Sequence, residues 1–213
     1  MIRVVLFDLD GVVRNFDPGV VVDIERRYGL TAGRLESIAF SRPLIDDVTT
    51  GRISRARWLR EIGELVGSPA AVAEWGDHPA VVDEGVLELS DELRRLGVRT
   101  AVLTNGTDTI CAEIAAMGIG GRFDAFFNSA DIGFAKPDVR AFQHVLDALD
   151  VSAEDVFFTD DSASKLVGAD SLSMRTHLFA GVVDLRRHLR QAGADVAPHG
   201  SESISESGRH PGR

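Results

Sequence analysis

The 213-residue sequence predicts an α/β fold, a parallel sheet covered by helices on both faces, with an all-helical segment inserted after the first strand. Three observations carry this reading. Five short runs are apolar almost throughout, as strands buried on both faces are. Helical periodicities alternate with the later runs, which is the signature of βαβ units. The stretch from about Phe16 to Ala80 contains no strand-like run at all.

Taken in order, the first strand is Ile2 to Phe7, and it leads directly into Asp8. Three helices are expected in the insertion. The first spans Val20 to Tyr28 and ends at Gly29, and the second spans Leu35 to Phe40. The third opens at Ser54, a helix-capping residue, and places Trp58, Leu59, Ile62, Leu65 and Val66 on one face. Val86, Leu89, Leu93 and Leu96 then recur at helical spacing and stop at Gly97, before a second strand at Val98 to Leu103. The remaining strands are Ala125 to Asn128, Val156 to Thr159 and Arg175 to Phe179, with a helix through Phe142, Val145, Leu146 and Leu149 ahead of the fourth. Residues 1–15 and 81–195 thus read as an α/β core and 16–80 as a helical domain. Residues 196–213, rich in Ser, Gly, Glu, His and Pro with Ile204 the single large apolar residue after 200, read as a disordered tail.

Composition narrows the function classes. With 44% hydrophobic and 26% charged residues, the chain can bury one good core and a small accessory domain. The formal charge of −10, with no run of Lys or Arg, argues against a nucleic-acid partner. Cys111, the single cysteine, cannot form an intramolecular disulfide, so a reducing, cytoplasmic setting is expected. The apolar run at the N-terminus is too short for a signal peptide or a membrane span, and no membrane partner is expected.

Chemistry gathers at the strand ends. The first strand closes with Asp8-Leu9-Asp10-Gly11, two carboxylates at the rim where open α/β sheets place ligands. In an extended strand the two share a face, unless the turn at Gly11 redirects the second. Taken alone, the segment is equally an acidic turn. The second strand closes with Thr104-Asn105-Gly106, which offers a hydroxyl and backbone N–H groups at a helix start for a phosphate, or equally a capped turn. Lys136 precedes Pro137, a residue that suits the opening of a helix. It is one of only two lysines among 23 basic residues, a compact ammonium kept in an arginine-rich chain. The fourth strand closes with Asp160-Asp161-Ser162; adjacent carboxylates are costly to hold together without a cation, and hard oxygen ligands suit Mg²⁺.

An acid pair, a hydroxyl, a lysine and an acid pair, each at a strand end and in this order, resemble the four motifs of the haloacid dehalogenase (HAD) superfamily, in particular its phosphatase branch. The resemblance covers about Met1 to Val13 and Val86 to Phe179. It implies a Rossmann-like core with a small helical cap, and Gly51-Arg52-Ile53-Ser54 is similar to a phrase common in the caps of small sugar-phosphate phosphatases. It implies further that Asp8 is the nucleophile and Asp10 the general acid/base. Thr104 and Asn105 would hold the phosphoryl oxygens, and Lys136 would neutralise the nucleophile and the transferring group. Asp161, with Asp160, would complete a Mg²⁺ site with Asp8 and the Asp10 carbonyl. The implied substrate is a small phosphorylated metabolite, such as a sugar phosphate.

Two departures from the family pattern stand out. Lys165 occupies a place where relatives carry Asp or Asn, and Ser173 a place where Gly is common. Asp10 speaks against a dehalogenase, since resembling dehalogenases lack an acid there. A phosphomutase shares the core motifs, and Lys165 leaves open a catalytically weakened binding or regulatory protein. The six histidines, His78, His144, His177, His188, His199 and His210, show no ligand spacing and read as surface or helix residues. Trp58 reads as core packing, with a substrate-facing role open to it and to Trp75. Arg14 and Asn15 read either as substrate-facing or as a solvated hinge.

Overall fold

The structure is a computed structural model and describes residues 1–198. The chain opens with β1 (Val4–Phe7) and a two-residue strand β2 (Arg14–Asn15). Five helices follow: α1 (Pro18–Arg27), α2 (Arg34–Ala39), α3 (Leu44–Thr49), α4 (Arg55–Val66) and α5 (Pro69–Gly76). Strand β3 (Val81–Val82) then leads into α6 (Glu84–Arg95), β4 (Arg99–Thr104), α7 (Ile110–Ala116), β5 (Ala125–Asn128), α8 (Ser129–Ile132) and α9 (Val139–Leu149). The described chain closes with β6 (Val156–Asp160), α10 (Ala163–Ser171), β7 (Arg175–Leu178) and α11 (Val182–Gln191). None of these helices is long and apolar enough to cross a membrane.

The five longer strands form one parallel sheet in the order β5-β4-β1-β6-β7. Apolar residues on successive strand positions face opposite layers. Val4, Leu6, Ala101, Leu103, Val156 and Phe158 pack with Phe142 and Val145 of α9. Val5, Phe7, Val102 and Phe157 pack on the other face with Leu89 and Leu93 of α6 and Leu185 of α11. Each such side chain taken fully out of water contributes roughly 1.5–3 kcal/mol before conformational entropy is counted. Because the chain runs from β1 to one side and later returns to the other, the strand order switches beside β1. In open α/β sheets that is where a crevice for ligands opens at the carboxyl ends.

The helical insertion has a core of its own, built from residues such as Val21, Ile24, Leu35, Val48, Trp58, Ile62 and Val72. Asp17 caps α1 by accepting from the Gly19 amide, with Pro18 in the first turn. Ser54 caps α4 through the Arg57 amide. Glu25 is buried, and its carboxylate accepts from the amides of Gly33 and Leu35 at 2.7 and 2.8 Å, which satisfies donors at the start of α2. Leu65, expected on the apolar face of α4, is instead 56% exposed, because the helix turns that position away from its neighbours. The insertion holds α3 and α5 in addition to the three helices expected.

The insertion leaves and re-enters the core through an antiparallel ribbon, with Arg14 opposite Val82 and Asn15 opposite Val81. Two further expectations need correction. The expected tail begins too early, since Val196 packs into the core and the Ala197 amide donates to Glu92. Pro137 does not open α9; Asp138 caps that helix by accepting from the Arg140 amide. The remainder of the expected tail, from 199 onward, with Ile204, His199 and His210, lies outside the described residues.

Candidate active site

The residues that follow β1, β4 and β6 meet at the carboxyl edge of the sheet. The Asp8 amide donates to the Thr159 carbonyl at 2.9 Å, which carries the β1–β6 ladder one residue past β1 and brings Asp8 level with the end of β6. The Lys136 ammonium stands between two carboxylates, 2.7 Å from Asp8 Oδ1 and 2.7 Å from Asp160 Oδ2, with only 3% of the residue exposed. Burial disfavours the ammonium, but the Asp8 and Asp160 carboxylates outweigh it and hold the lysine above its ordinary pKa. Burial also pushes the Asp8 carboxyl up, against the pull of Lys136, and the Asp160 charge adds to the rise. One cation between two buried carboxylates leaves a negative charge uncompensated.

That surplus charge bears on whether the site suits a metal. Asp8, Asp160 and Asp161 each offer a carboxylate oxygen, all within 4.8 Å of one another. An all-oxygen donor set with excess negative charge fits a hard divalent cation such as Mg²⁺. Gly11, at φ 88°, makes the approach of Asp161 possible, since a Cβ there would collide with the Asp161 carboxylate.

The Lys136 loop is held from two sides. The Asn105 side chain donates to the Lys136 carbonyl at 2.8 Å and accepts from the Lys136 amide at 2.7 Å. On the other side Gly168 of α10 lies against the Pro137 carbonyl, where a larger residue would not fit. Asn105 thus positions the lysine with its side chain, a role the sequence reading did not foresee. Thr104 is buried at the end of β4, two residues beyond the pairing of Val102 with Phe7. Neither Thr104 nor Asn105 opens a helix: α7 begins at Ile110, so 105–109 is a loop whose amides are not aligned by a helix axis.

Asp10 lies in the turn after β1, partly exposed, and its partner is Arg14. The Arg14 Nε donates to Asp10 Oδ1 at 2.5 Å, and Nη1 donates to Glu113 at 2.8 Å. Glu113 also accepts from the Thr109 hydroxyl at 2.5 Å. Arg14 is buried and so is not a solvated hinge, whereas Asn15 is exposed. The signal for Arg14 was its spacing of four from Asp10 across a turn, which is ambiguous without Glu113, 99 residues away.

Beyond Asp10 a cavity of about 660 Å³ opens between the sheet edge and the insertion. Asp10, Arg14 and Asn105 line one side, and Phe16, Phe40 and Trp75 line the other. Lys165 does not reach into open solvent; its ammonium donates to the Lys136 carbonyl at 3.3 Å. Burial, with the charge of Lys136 added, lowers its pKa. Ser173 sits at φ 66°, in the left-handed region that favours glycine.

The histidines hold one surprise. His177 is buried, with Nδ1 2.9 Å from the Thr159 hydroxyl and Nε2 3.0 Å from Asp184, and Nδ1 of His188 lies 3.3 Å from the same carboxylate. Strand β7 and helix α11 bring these three together, which linear spacing could not reveal.

Comparison with known proteins shows which family the chain is similar to. The family model of the haloacid dehalogenase-like hydrolases matches residues 2–171. A phosphatase of Mycobacterium tuberculosis is 30% identical over 193 residues, which cover 83% of this chain and 87% of that one. A sesquiterpene phosphatase of Aspergillus oryzae is 26% identical over 177 residues, covering 81% and 87%. Among solved structures, a HAD family enzyme of Bacteroides thetaiotaomicron in complex with magnesium and inorganic phosphate aligns with a TM-score of 0.68 at 22% identity, covering 83% of this chain and 93% of that one, a likeness of fold.

Proposed function

The chain belongs to the haloacid dehalogenase-like hydrolase family, and we propose that it is a Mg²⁺-dependent phosphomonoester hydrolase that works through an aspartyl-phosphate. The observation that carries this reading is the buried Asp8–Lys136–Asp160 arrangement, with a second carboxylate, Asp10, two residues beyond the first. An acid at Asp10 suits an oxygen leaving group, which needs a proton; a halide does not.

Asp8 attacks the phosphorus, and the bond to the leaving oxygen breaks. Asp10 gives that oxygen its proton. A water then attacks the aspartyl-phosphate, Asp10 takes up the water's proton, and the phosphorus–Asp8 bond breaks to return the free carboxylate. Lys136 holds Asp8 in place and offsets the charge spread over the transferring group, with Thr104 and the Asn105 amide as donors to its oxygens. Asp8, Asp160, Asp161 and the Asp10 carbonyl would hold Mg²⁺, which when bound supplies the positive charge that lets a carboxylate approach a phosphate dianion. The helices of 16–80 act as a cap over the strand ends. Asp10 sits where cap and core face each other, so its arginine partner keeps the acid in register with both.

Asp8→Asn tests the reading. Turnover of p-nitrophenyl phosphate with Mg²⁺ should be abolished while far-UV circular dichroism stays as in the wild type. Near-normal turnover in that variant would overturn the covalent mechanism.

A further inference from the structure

Resting on the phosphatase reading, we infer that the leaving group is an apolar chain or ring, so that the substrate is the phosphomonoester of a hydrocarbon alcohol. Asp10, the proposed proton donor, borders the cavity of about 660 Å³. Whatever is attached to the leaving oxygen must therefore extend into that space, whose size suits a small organic ligand.

A sugar would need free donors and acceptors around it, because each hydroxyl moved out of water without a partner is costly. Several of the polar side chains lining the cavity already have partners within the protein. The Trp58 indole N–H donates to the Ala39 carbonyl at 3.2 Å, and the Thr49 hydroxyl to the Ile45 carbonyl at 2.7 Å. Arg14 and Glu113 pair with each other, and the Arg55 guanidinium donates to the Gly76 carbonyl. Glu36, Asp77 and His78 also line the cavity, but the two carboxylates are on exposed residues and His78 stands edge-on to Phe16 at 5.6 Å.

Apart from these three groups at the mouth and the Trp75 indole N–H, the surface left for a ligand is aromatic and aliphatic. Trp58, Trp75 and Phe40 form a continuous wall, with ring centroids 5.6 Å apart for the tryptophan pair and 6.2 Å apart for Phe40 and Trp75. Phe16 and Phe40 remain 43% and 54% exposed, although a fold can ordinarily hide such rings. Exposed apolar surface gathered around a cavity marks a binding site, and apolar surface selects apolar matter.

The test is a series of straight-chain alkyl phosphates from ethyl to decyl, with acetyl phosphate and glucose 6-phosphate alongside. The proposal requires kcat/KM to rise about three- to fourfold per methylene until the cavity is full, the increment that follows from burying one methylene. Glucose 6-phosphate should fall below butyl phosphate, and Phe40→Ala should flatten the slope. Trp58 and Trp75 are the only tryptophans of the chain and both line the cavity, so decyl phosphonate should shift the intrinsic fluorescence where ethyl phosphonate does not. A flat series with acetyl phosphate still hydrolysed, or an emission indifferent to chain length, overturns the apolar leaving group and leaves the phosphatase reading standing. No turnover of any member, acetyl phosphate included, overturns the phosphatase reading and the leaving-group assignment with it.

Discussion

The two walls of the cleft break opposite rules of protein interiors. On the sheet side, charges are buried: Asp8 and Asp160 at the strand ends, and Lys136 from the loop before α9, sit almost without solvent. On the insertion side, apolar rings are exposed, with Phe16 and Phe40 open to water. Each wall is costly by itself, the first through desolvation and the second through wetted hydrocarbon. Together they are complementary to a molecule with a charged head and an apolar body. On the proposed reading the difference also separates rate from choice: the sheet side would carry the groups that move protons and phosphorus, and the insertion the surface that selects.

The sharpest way to break this division is at Asp10, which borders both walls. Asp10→Asn should cost roughly 10²–10⁴-fold in kcat for an alkyl phosphate. The loss should be much smaller for p-nitrophenyl phosphate, whose leaving group needs little help from an acid. Equal losses for the two substrates would mean that Asp10 acts through metal or Arg14 rather than by proton transfer.

A change in the core of the insertion should act on the other wall. Ile62 is fully buried there, and Ile62→Ala should cost roughly 2–5 kcal/mol. Because the insertion has a separate core, hydrogen exchange should quicken across 18–76 while the amides of β1, β4 and β6 keep their protection. Uniform loss of protection would show that the two cores unfold as one.

The smallest expected effect concerns Lys165, which lies beside the charged wall with its ammonium on the Lys136 carbonyl. A further cation near Asp160 opposes a divalent ion at the carboxylates. Lys165→Asn should therefore bind Mg²⁺ about fivefold more tightly by calorimetric titration, on the order of 1 kcal/mol for a screened charge pair. An unchanged affinity would place Lys165 outside the electrostatic reach of the site.

Much of this was legible in the sequence, for a physical reason. The three central strands β1, β4 and β6 are buried and apolar as they approach their carboxyl ends, so each carboxylate or hydroxyl that closes one is conspicuous, whereas β7, read as a buried apolar run, is an edge strand with Arg175 and Leu178 exposed. Ala125 to Asn128 was readable to the residue, and Asp8, Thr104 and Asp160 could be placed at strand ends. The short ribbon of β2 and β3 was not legible, because two residues carry no periodicity. Helices α3 and α5, six and eight residues long, are nearly as silent. Arg14 with Glu113, Asn105 with the Lys136 loop, and His177 with Asp184 depend on partners brought together by the fold, and no local pattern announces them.

The β2–β3 ribbon also has a mechanical meaning. Both chain segments that join the insertion to the sheet pass through it side by side, tied to each other across the strand pair. Two linked segments can flex at their ends but resist sliding past one another. On the proposed cap reading, the insertion would be mounted like a gate on a double-pinned bracket, able to swing toward the strand ends but held against sideways drift. Each swing would return the aromatic wall to the same station opposite Asp10. Such a mounting would make any swing a property of the few torsions flanking residues 14–15 and 81–82.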